Sequence, residues 1–364
     1  MTTDNTNTTL VIAEAGVNHN GSLDRAMELI EAAAQAGADA VKFQTFKASE
    51  IVSRHAPKAA YQQRNTDQGE SQLEMIRKLE LSVEDHRVLI AHARQNGIEF
   101  LSTPFEVRSL ALLVDGLGLR TIKIPSGEIT NAPFLVQIAR TGCRMILSTG
   151  MSTLGEVESA LAMLAYGGLS PVGQPPGAAA FEAAYMSASG QALLRERVVL
   201  LHCTTEYPAP VAEVNLKAMD VLAQAFGLPV GYSDHTAGIH IAVAAVARGA
   251  RVIEKHFTLD RTLPGPDHKA SLEPAELRAM IRAIRDIQAA LGDGVKRPSA
   301  AELKNRDVVR KSLVAGRPIA VGELYSEENL TCKRPGTGVS PTAYWNRLGT
   351  AAARDYAADE LIDE

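Results

Sequence analysis

Residues 10–37 read LVIAEAGVNHNGSLDRAMELIEAAAQAG, and this stretch decides the fold. LVIAEAG is apolar apart from Glu14 and short, the pattern of a β-strand buried on both faces. Ala26, Leu29, Ile30 and Ala33 then recur at i, i+3, i+4 and i+7, which predicts a helix with Ser22 as its N-cap and Gly37 as its stop. A strand followed by an amphipathic helix is one β–α unit, and no GxGxxG fingerprint follows the strand to suggest a dinucleotide fold.

Moving outward, similar runs start at Leu10, Ala40, Ile98, Thr121, Arg144, Val198, Pro229 and Arg251, and most end in Glu, Lys, Ser, Thr, His or Asp. The last is followed by an apolar stripe, Leu277, Met280, Ile281, Ile284, Ile287 and Leu291, between Pro274 and Gly292. Eight β–α units over about 290 residues predict an α/β fold, a (β/α)8 TIM barrel with its polar strand ends gathered at one face. A doubly wound open sheet is the runner-up. Residues 47–80 read as a polar excursion over the barrel mouth, either a substrate loop or a surface extension, and residues 167–196 as structural decoration on the far side. The predicted organisation is a disordered tail (1–9), the barrel (10–292), a polar linker (293–305) and a small module of short strands (306–364). That module ends in a short helix capped by Ser340.

With 364 residues, 46% hydrophobic and 22% charged, the composition is that of a soluble globular protein. Lys and Arg total 37 against 42 Asp and Glu, without blocks, so no nucleic-acid or membrane partner is expected. Cys143, Cys203 and Cys332 lie far apart, which argues for a reducing, cytoplasmic setting and against a disulfide framework or a structural zinc site. The polar start, MTTDNTNTT, and the shortness of the apolar stretches predict neither export nor membrane insertion.

Lys42 and Lys123 sit inside apolar strands, where an unpaired ammonium is costly, so each needs an anion. A salt bridge to Glu14 or Glu128 is the structural reading. Hydroxyls at neighbouring strand ends, Ser126, Ser148, Thr149, Thr204, Thr205 and Ser233, favour instead a pocket for phosphate and carboxylate, with Gly127 and Gly150 admitting close approach. His235 and His256 end adjacent strands and could hold one divalent ion, with Glu14, Gln44 or water completing the shell. Glu14, Glu128 and Asp267 are candidates for proton transfer or for orienting sugar hydroxyls. His19 and His202 read as structural, and His55, His86, His92 and His240 as surface residues.

The motifs IAEAGVNHNGS, VKFQTFK, STPF, KIPSGE, LSTGM, LHCTTEYPAP, GYSDHT, IEKHFT, GPDHKAS and KRPGTG, spread over residues 10–362, resemble the sialic acid synthase family with its C-terminal antifreeze-like (SAF, β-clip) domain. The resemblance implies condensation of phosphoenolpyruvate with an N-acylated mannosamine-type sugar, assisted by Mn2+ or Mg2+. The products are a nine-carbon 2-keto acid and phosphate. N-acetylmannosamine is the first-choice sugar, and 2,4-diacetamido-2,4,6-trideoxymannose the alternative. By matching motif position, Lys42, Lys123, Ser126, Ser148 and Ser233 would hold phosphoenolpyruvate, and His235 and His256 the metal. Thr205 stands where some members have Asn and would touch phosphate. Gln44, Asn65, Tyr207 and Asp267 would face the sugar, and Glu14 or Glu128 would manage protons. The family further implies a domain-swapped homodimer in which Arg334 reaches the sugar site of the other subunit.

Two rival functions fit parts of this pattern. A Schiff-base pyruvate aldolase would use a buried barrel lysine. A non-catalytic carbohydrate-binding protein would use the C-terminal module but leaves the strand-end lysines and histidines without a task.

Overall fold

A computed structural model describes residues 8–59, 62, 63, 66, 69–169 and 175–364. Its first strand is β1 (Leu10–Gly16), after which Ser22 accepts a hydrogen bond from the Arg25 amide, the helix Leu23–Ala36 runs, and Gly37 closes it at φ 87°. The repeat continues through β2 (Ala40–Thr45), β3 (Glu99–Pro104), β4 (Thr121–Ile124), β5 (Arg144–Ser148), β6 (Val198–Cys203), β7 (Val230–Asp234) and β8 (Val252–His256). All pairings are parallel, in the order β3-β2-β1-β8-β7-β6-β5-β4. The end strands β3 and β4 lie in contact, so the sheet curls into the predicted barrel.

Strand pleating positions the site. Ile12, Ala40, Leu101, Ile146, Leu201 and Val252 form an apolar plug inside the barrel. Two residues further along, on the same face, come Glu14, Lys42, Thr103, Ser148, Cys203 and Glu254, because side chains alternate with a period of two. The opposite parity, such as Val11, Ala13, Val41 and Phe43, packs against the surrounding helices in a separate cluster.

The chain divides into two compact units, 1–292 and 293–364. In the second, β9 (Ser312–Ala315) and β10 (Leu330–Lys333) pair antiparallel, and Leu313, Ile319, Tyr325, Leu330 and Tyr356 are among the residues of its core.

Several expectations need correction. Residues 1–7 of the predicted tail lie outside the described residues, but Thr9 is buried and its hydroxyl donates to Ala250 O at 2.8 Å, fastening the chain before β1. The segment read as a linker enters a helix, Ala300–Val309, whose N-terminus is held by a Ser299–Glu302 capping box. The polar excursion at 47–80 carries helices Ala48–Ile51 and Gln72–Arg77, and its Met75 and Leu79 are buried. His86 is not a surface residue: it is fully buried, with Nε2 2.8 Å from Thr45 Oγ1 and Nδ1 2.7 Å from Ser82 O.

Candidate active site

The C-terminal ends of the strands surround a cavity lined by Glu14, Lys42, Gln44, Lys123, Ser126, Ser148, Thr205, Tyr207, Ser233, His235, His256 and Asp267. These twelve residues were singled out from sequence. The remaining three are Glu128, Arg334 and Asn65. Glu128 is not among the cavity-lining residues: a 3-10 turn, Ser126–Glu128, carries it past the end of β4, and Asn131 Nδ2 donates to its carboxylate at 2.6 Å. Its expected part in proton transfer therefore has no geometric basis. Arg334 belongs to the second unit, where its Nε donates to Val309 O at 2.9 Å. Asn65 lies outside the described residues.

The charged centre is a buried network. Lys42 Nζ lies 2.5 Å from Glu14 Oε1, 3.1 Å from Thr103 Oγ1 and 3.6 Å from Glu254 Oε2. Lys123 Nζ is 3.3 Å from Glu254 Oε1, which also accepts from Ser233 Oγ at 2.8 Å. Burial alone would lift the Glu14 pKa, but His256, Lys42 and Lys123 outweigh it and hold the carboxyl well below its ordinary range. Burial likewise disfavours the Lys42 ammonium, yet Glu14 and Glu254 raise its pKa, so it stays charged.

Glu254 is the principal residue that the sequence reading missed. A signal was present: it lies two residues before His256 on one strand, so both side chains share a face. Thr103 and Cys203 were missed as well, and both line the cavity.

Around Lys123 lie hydroxyls suited to an anion. Ser126 Oγ accepts from the Gly150 amide at 2.9 Å and lies 3.2 Å from Cys203 Sγ. Ser148 Oγ is buried and, among the described residues, has no hydrogen-bond partner, so a group brought there by a ligand would satisfy it.

The two imidazole rings lie 5.8 Å apart, with Tyr207 packed 4.3 Å from His235 and 5.8 Å from His256. His235 Nδ1 donates to the Thr204 carbonyl at 2.7 Å, so Nε2 keeps its lone pair, and burial with the nearby His256 pulls its pKa down to about 4. His256 places Nε2 3.5 Å from Glu14 Oε2, while its buried Nδ1 has no hydrogen-bond partner among the described residues. A tautomer fixed by a carbonyl, a second imidazole with an orphaned nitrogen, and carboxylate oxygen nearby fit a divalent ion. No set of three His, Cys, Asp or Glu is arranged for a metal among the described residues, so the fit is an open site completed by other oxygens. Asp267 is buried beside these groups, and burial raises its pKa.

A parallel barrel with lysines, hydroxyls, carboxylates and paired histidines at its strand ends defines a barrel enzyme for an anionic, oxygen-rich substrate. The family model for the NeuB family matches residues 29–296, and that for the SAF domain residues 310–364. The chain belongs to the NeuB family. It is 54% identical to an N,N'-diacetyllegionaminic acid synthase of Campylobacter jejuni, covering 98% of this chain and 99% of the relative. It is 46% identical to one of Legionella pneumophila, covering 98% and 93%. The crystal structure of an N-acetylneuraminic acid synthetase from Leptospira borgpetersenii in complex with citrate matches with a TM-score of 0.67 at 32% identity, over 82% of this chain and 90% of that one.

Proposed function

We infer that this protein is a nonulosonic acid synthase that condenses phosphoenolpyruvate with an N-acylated mannosamine-type sugar and water, giving a nine-carbon 2-keto acid and phosphate. The observation that carries the reading is one cavity lined by Lys123, by the Ser126, Ser148 and Ser233 hydroxyls and by the His235–His256 pair, with Ser233 Oγ 3.3 Å from His235 Nε2. The two relatives described above, at 54% and 46% identity, are N,N'-diacetyllegionaminic acid synthases. Their activity supports 2,4-diacetamido-2,4,6-trideoxymannose as the sugar, ahead of the N-acetylmannosamine that the sequence reading placed first.

In this reading Lys42, Lys123 and the serines hold and orient the phosphate and carboxylate of phosphoenolpyruvate. Its C3 attacks the aldehyde carbon of the open-chain sugar, forming the new C–C bond and leaving C2 electron-poor. Water adds at C2 and loses a proton. Collapse then cleaves the C2–O bond and releases phosphate. Glu14, kept ionised by its cationic neighbours, accepts the proton from water. Asp267, whose protonated form burial favours, donates toward the sugar oxygens. A divalent ion, Mn2+ or Mg2+, would be held by His235 and His256 and supply Lewis-acid polarisation of the carbonyl.

The Schiff-base alternative requires a neutral lysine amine. Lys42 is held charged by two carboxylates, which disfavours that chemistry. The proposal includes a homodimer completed by Arg334, supported by the KRPGTG motif and by the exposure of that residue. It also includes a cytoplasmic setting, supported by three free cysteines. Among the described residues no helix is long and apolar enough to cross a membrane.

The decisive experiment supplies phosphoenolpyruvate and Mn2+ with either sugar and measures phosphate. Sugar-dependent release is expected, without a borohydride-trapped adduct on incubation with pyruvate; absence of release with both sugars would overturn the reading.

A further inference from the structure

The insertion at residues 47–80 supplies part of the cavity wall. Ser71 and Glu74 form a capping box that starts the helix Gln72–Arg77, and this helix turns Met75 and Ile76 toward the cavity. There they join Phe46, Ile51, Leu79 and Phe105, all of which line the same cavity. Phe46 and Phe105 meet edge to face with ring centres 6.0 Å apart. Phe46, Met75 and Leu79 are buried beneath the surface of this wall, whereas Ile51, Ile76 and Phe105 are half-buried and present it.

The cavity is thus divided by chemistry. The anion-binding residues Lys123, Ser126, Ser148 and Ser233 come from the ends of β4, β5 and β7, and the imidazoles from the ends of β7 and β8. The apolar wall rises beyond β2 and β3; β3 adjoins β4 and, in the closed ring, lies across the barrel from β7. Among the described residues between 46 and 79 that line the cavity, Gln62 alone is polar. A sugar whose reacting end lies beside the imidazoles at the ends of β7 and β8 and which spans the cavity extends its far end toward this wall.

We propose that Ile51, Ile76 and Phe105 are specificity-determining residues that receive methyl-bearing substituents at the distal end of the sugar, the deoxy methyl and the second acetamido methyl. This rests on the synthase reading above. A methyl group placed there leaves water for an apolar contact, while a hydroxyl at the same place gives up its water without a replacement partner. The discrimination has a natural size. Apolar pockets separate substrates differing by one small group by roughly 10- to 200-fold, and they reject an added hydroxyl only weakly. N-acetylmannosamine is therefore a poor substrate, not an excluded one.

The test measures kcat/KM for phosphate release with 2,4-diacetamido-2,4,6-trideoxymannose and with N-acetylmannosamine, under saturating phosphoenolpyruvate and Mn2+. The wild type is compared with Ile76→Asn, Ile51→Thr and the conservative Ile76→Leu. The wild type should favour the trideoxy sugar by at least about tenfold, and Ile76→Asn should reduce that ratio by about tenfold. The loss should fall on the trideoxy sugar and leave the KM for phosphoenolpyruvate unchanged, with Ile76→Leu close to wild type. Ile51→Thr supplies the same readout should Ile76→Asn not fold. An unchanged ratio in the folded variants, or an equal loss with both sugars, would mean that the wall is packing alone and would overturn the proposal. No release from either sugar by the wild type is a different failure, that of the synthase reading itself.

Discussion

Lys255 Nζ lies 2.9 Å from Asp234 Oδ2, and neither side chain is exposed to solvent at all. The pair sits at the paired tips of β7 and β8, on the sheet face opposite to Ser233, Glu254 and the two imidazoles. Asp234 Oδ1 also accepts from the amide and hydroxyl of Thr236, and Lys255 donates to Thr236 O, so the turn that carries His235 is tied to the strand that carries His256. Lys255→Met leaves the Asp234 carboxylate buried beside an apolar chain. Loss of one partner of such a pair costs about 3–5 kcal/mol. Urea unfolding should show a loss of this order, partly restored by adding Asp234→Asn; a loss below about 1 kcal/mol would contradict the arrangement.

The same strand tips show what sequence can and cannot reveal. A lysine inside an apolar strand is visible without a structure, as Lys42 and Lys123 were, because few environments tolerate it. In IEKHFT, however, Glu254, Lys255 and His256 are consecutive and all ionisable. Only the pleat decides which face the cavity. Once His256 points inward, Glu254 must follow and Lys255 must turn outward. Glu128 illustrates the opposite case, since a three-residue turn beyond β4 removes it from a cavity that its position in KIPSGE had suggested. The apolar wall was hidden by dilution: Ile51, Met75, Ile76 and Leu79 are scattered through a mostly polar insertion, and its fold brings them together. The role proposed for Arg334 would require a second chain, which no local pattern encodes.

Gly150 follows β5 and approaches its neighbours too closely for any side chain. A Cβ there would overlap Thr205 Oγ1 and stand 2.9 Å from Ser126 Oγ and 3.0 Å from Cys203 Sγ. Gly150→Ala should therefore displace the hydroxyls proposed to hold phosphate while leaving the His235–His256 side undisturbed. The KM for phosphoenolpyruvate should rise by about tenfold or more, as for loss of a charge-assisted hydrogen bond, with Mn2+ binding unchanged. A variant with normal phosphoenolpyruvate kinetics would exclude these hydroxyls as ligands.

His19 and His268 make stability depend on pH. Burial, aided by neighbouring positive groups, pulls both from 6.5 to about 4. His268 is held by Thr258 Oγ1 at 2.7 Å and Asn20 Oδ1 at 3.2 Å. Between about 6.5 and 4 the unfolded chain takes up these protons and the folded chain does not, so unfolding is favoured as pH falls. Their contribution is fully present above about 6.5 and is lost as pH falls to about 4. His268→Asn should lower the melting temperature at pH 8 through its lost contacts, yet show a shallower decline from pH 6.5 to pH 4 than the wild type. Parallel profiles would show that His268 does not contribute to the acid limb.

Metal binding can be separated from catalysis. Because His235 Nδ1 is committed to Thr204 O, its Nε2 is the nitrogen available to an ion, and the His256 ring, whose buried Nδ1 has no hydrogen-bond partner among the described residues, is centred 5.8 Å from that of His235. After chelator treatment the full chain should bind one Mn2+, seen as loss of the free-ion signal in electron paramagnetic resonance. His235→Ala and His256→Ala should each weaken that binding by more than about tenfold, since even residues that only orient metal ligands cost 10- to 100-fold when removed. Glu128→Gln is the internal control: its carboxylate is held by Asn131 and does not line the cavity, so Mn2+ affinity should be unchanged. Equal affinity in the wild type and both alanine variants would place the ion elsewhere, and the two imidazoles would then act as hydrogen-bonding groups toward the substrate.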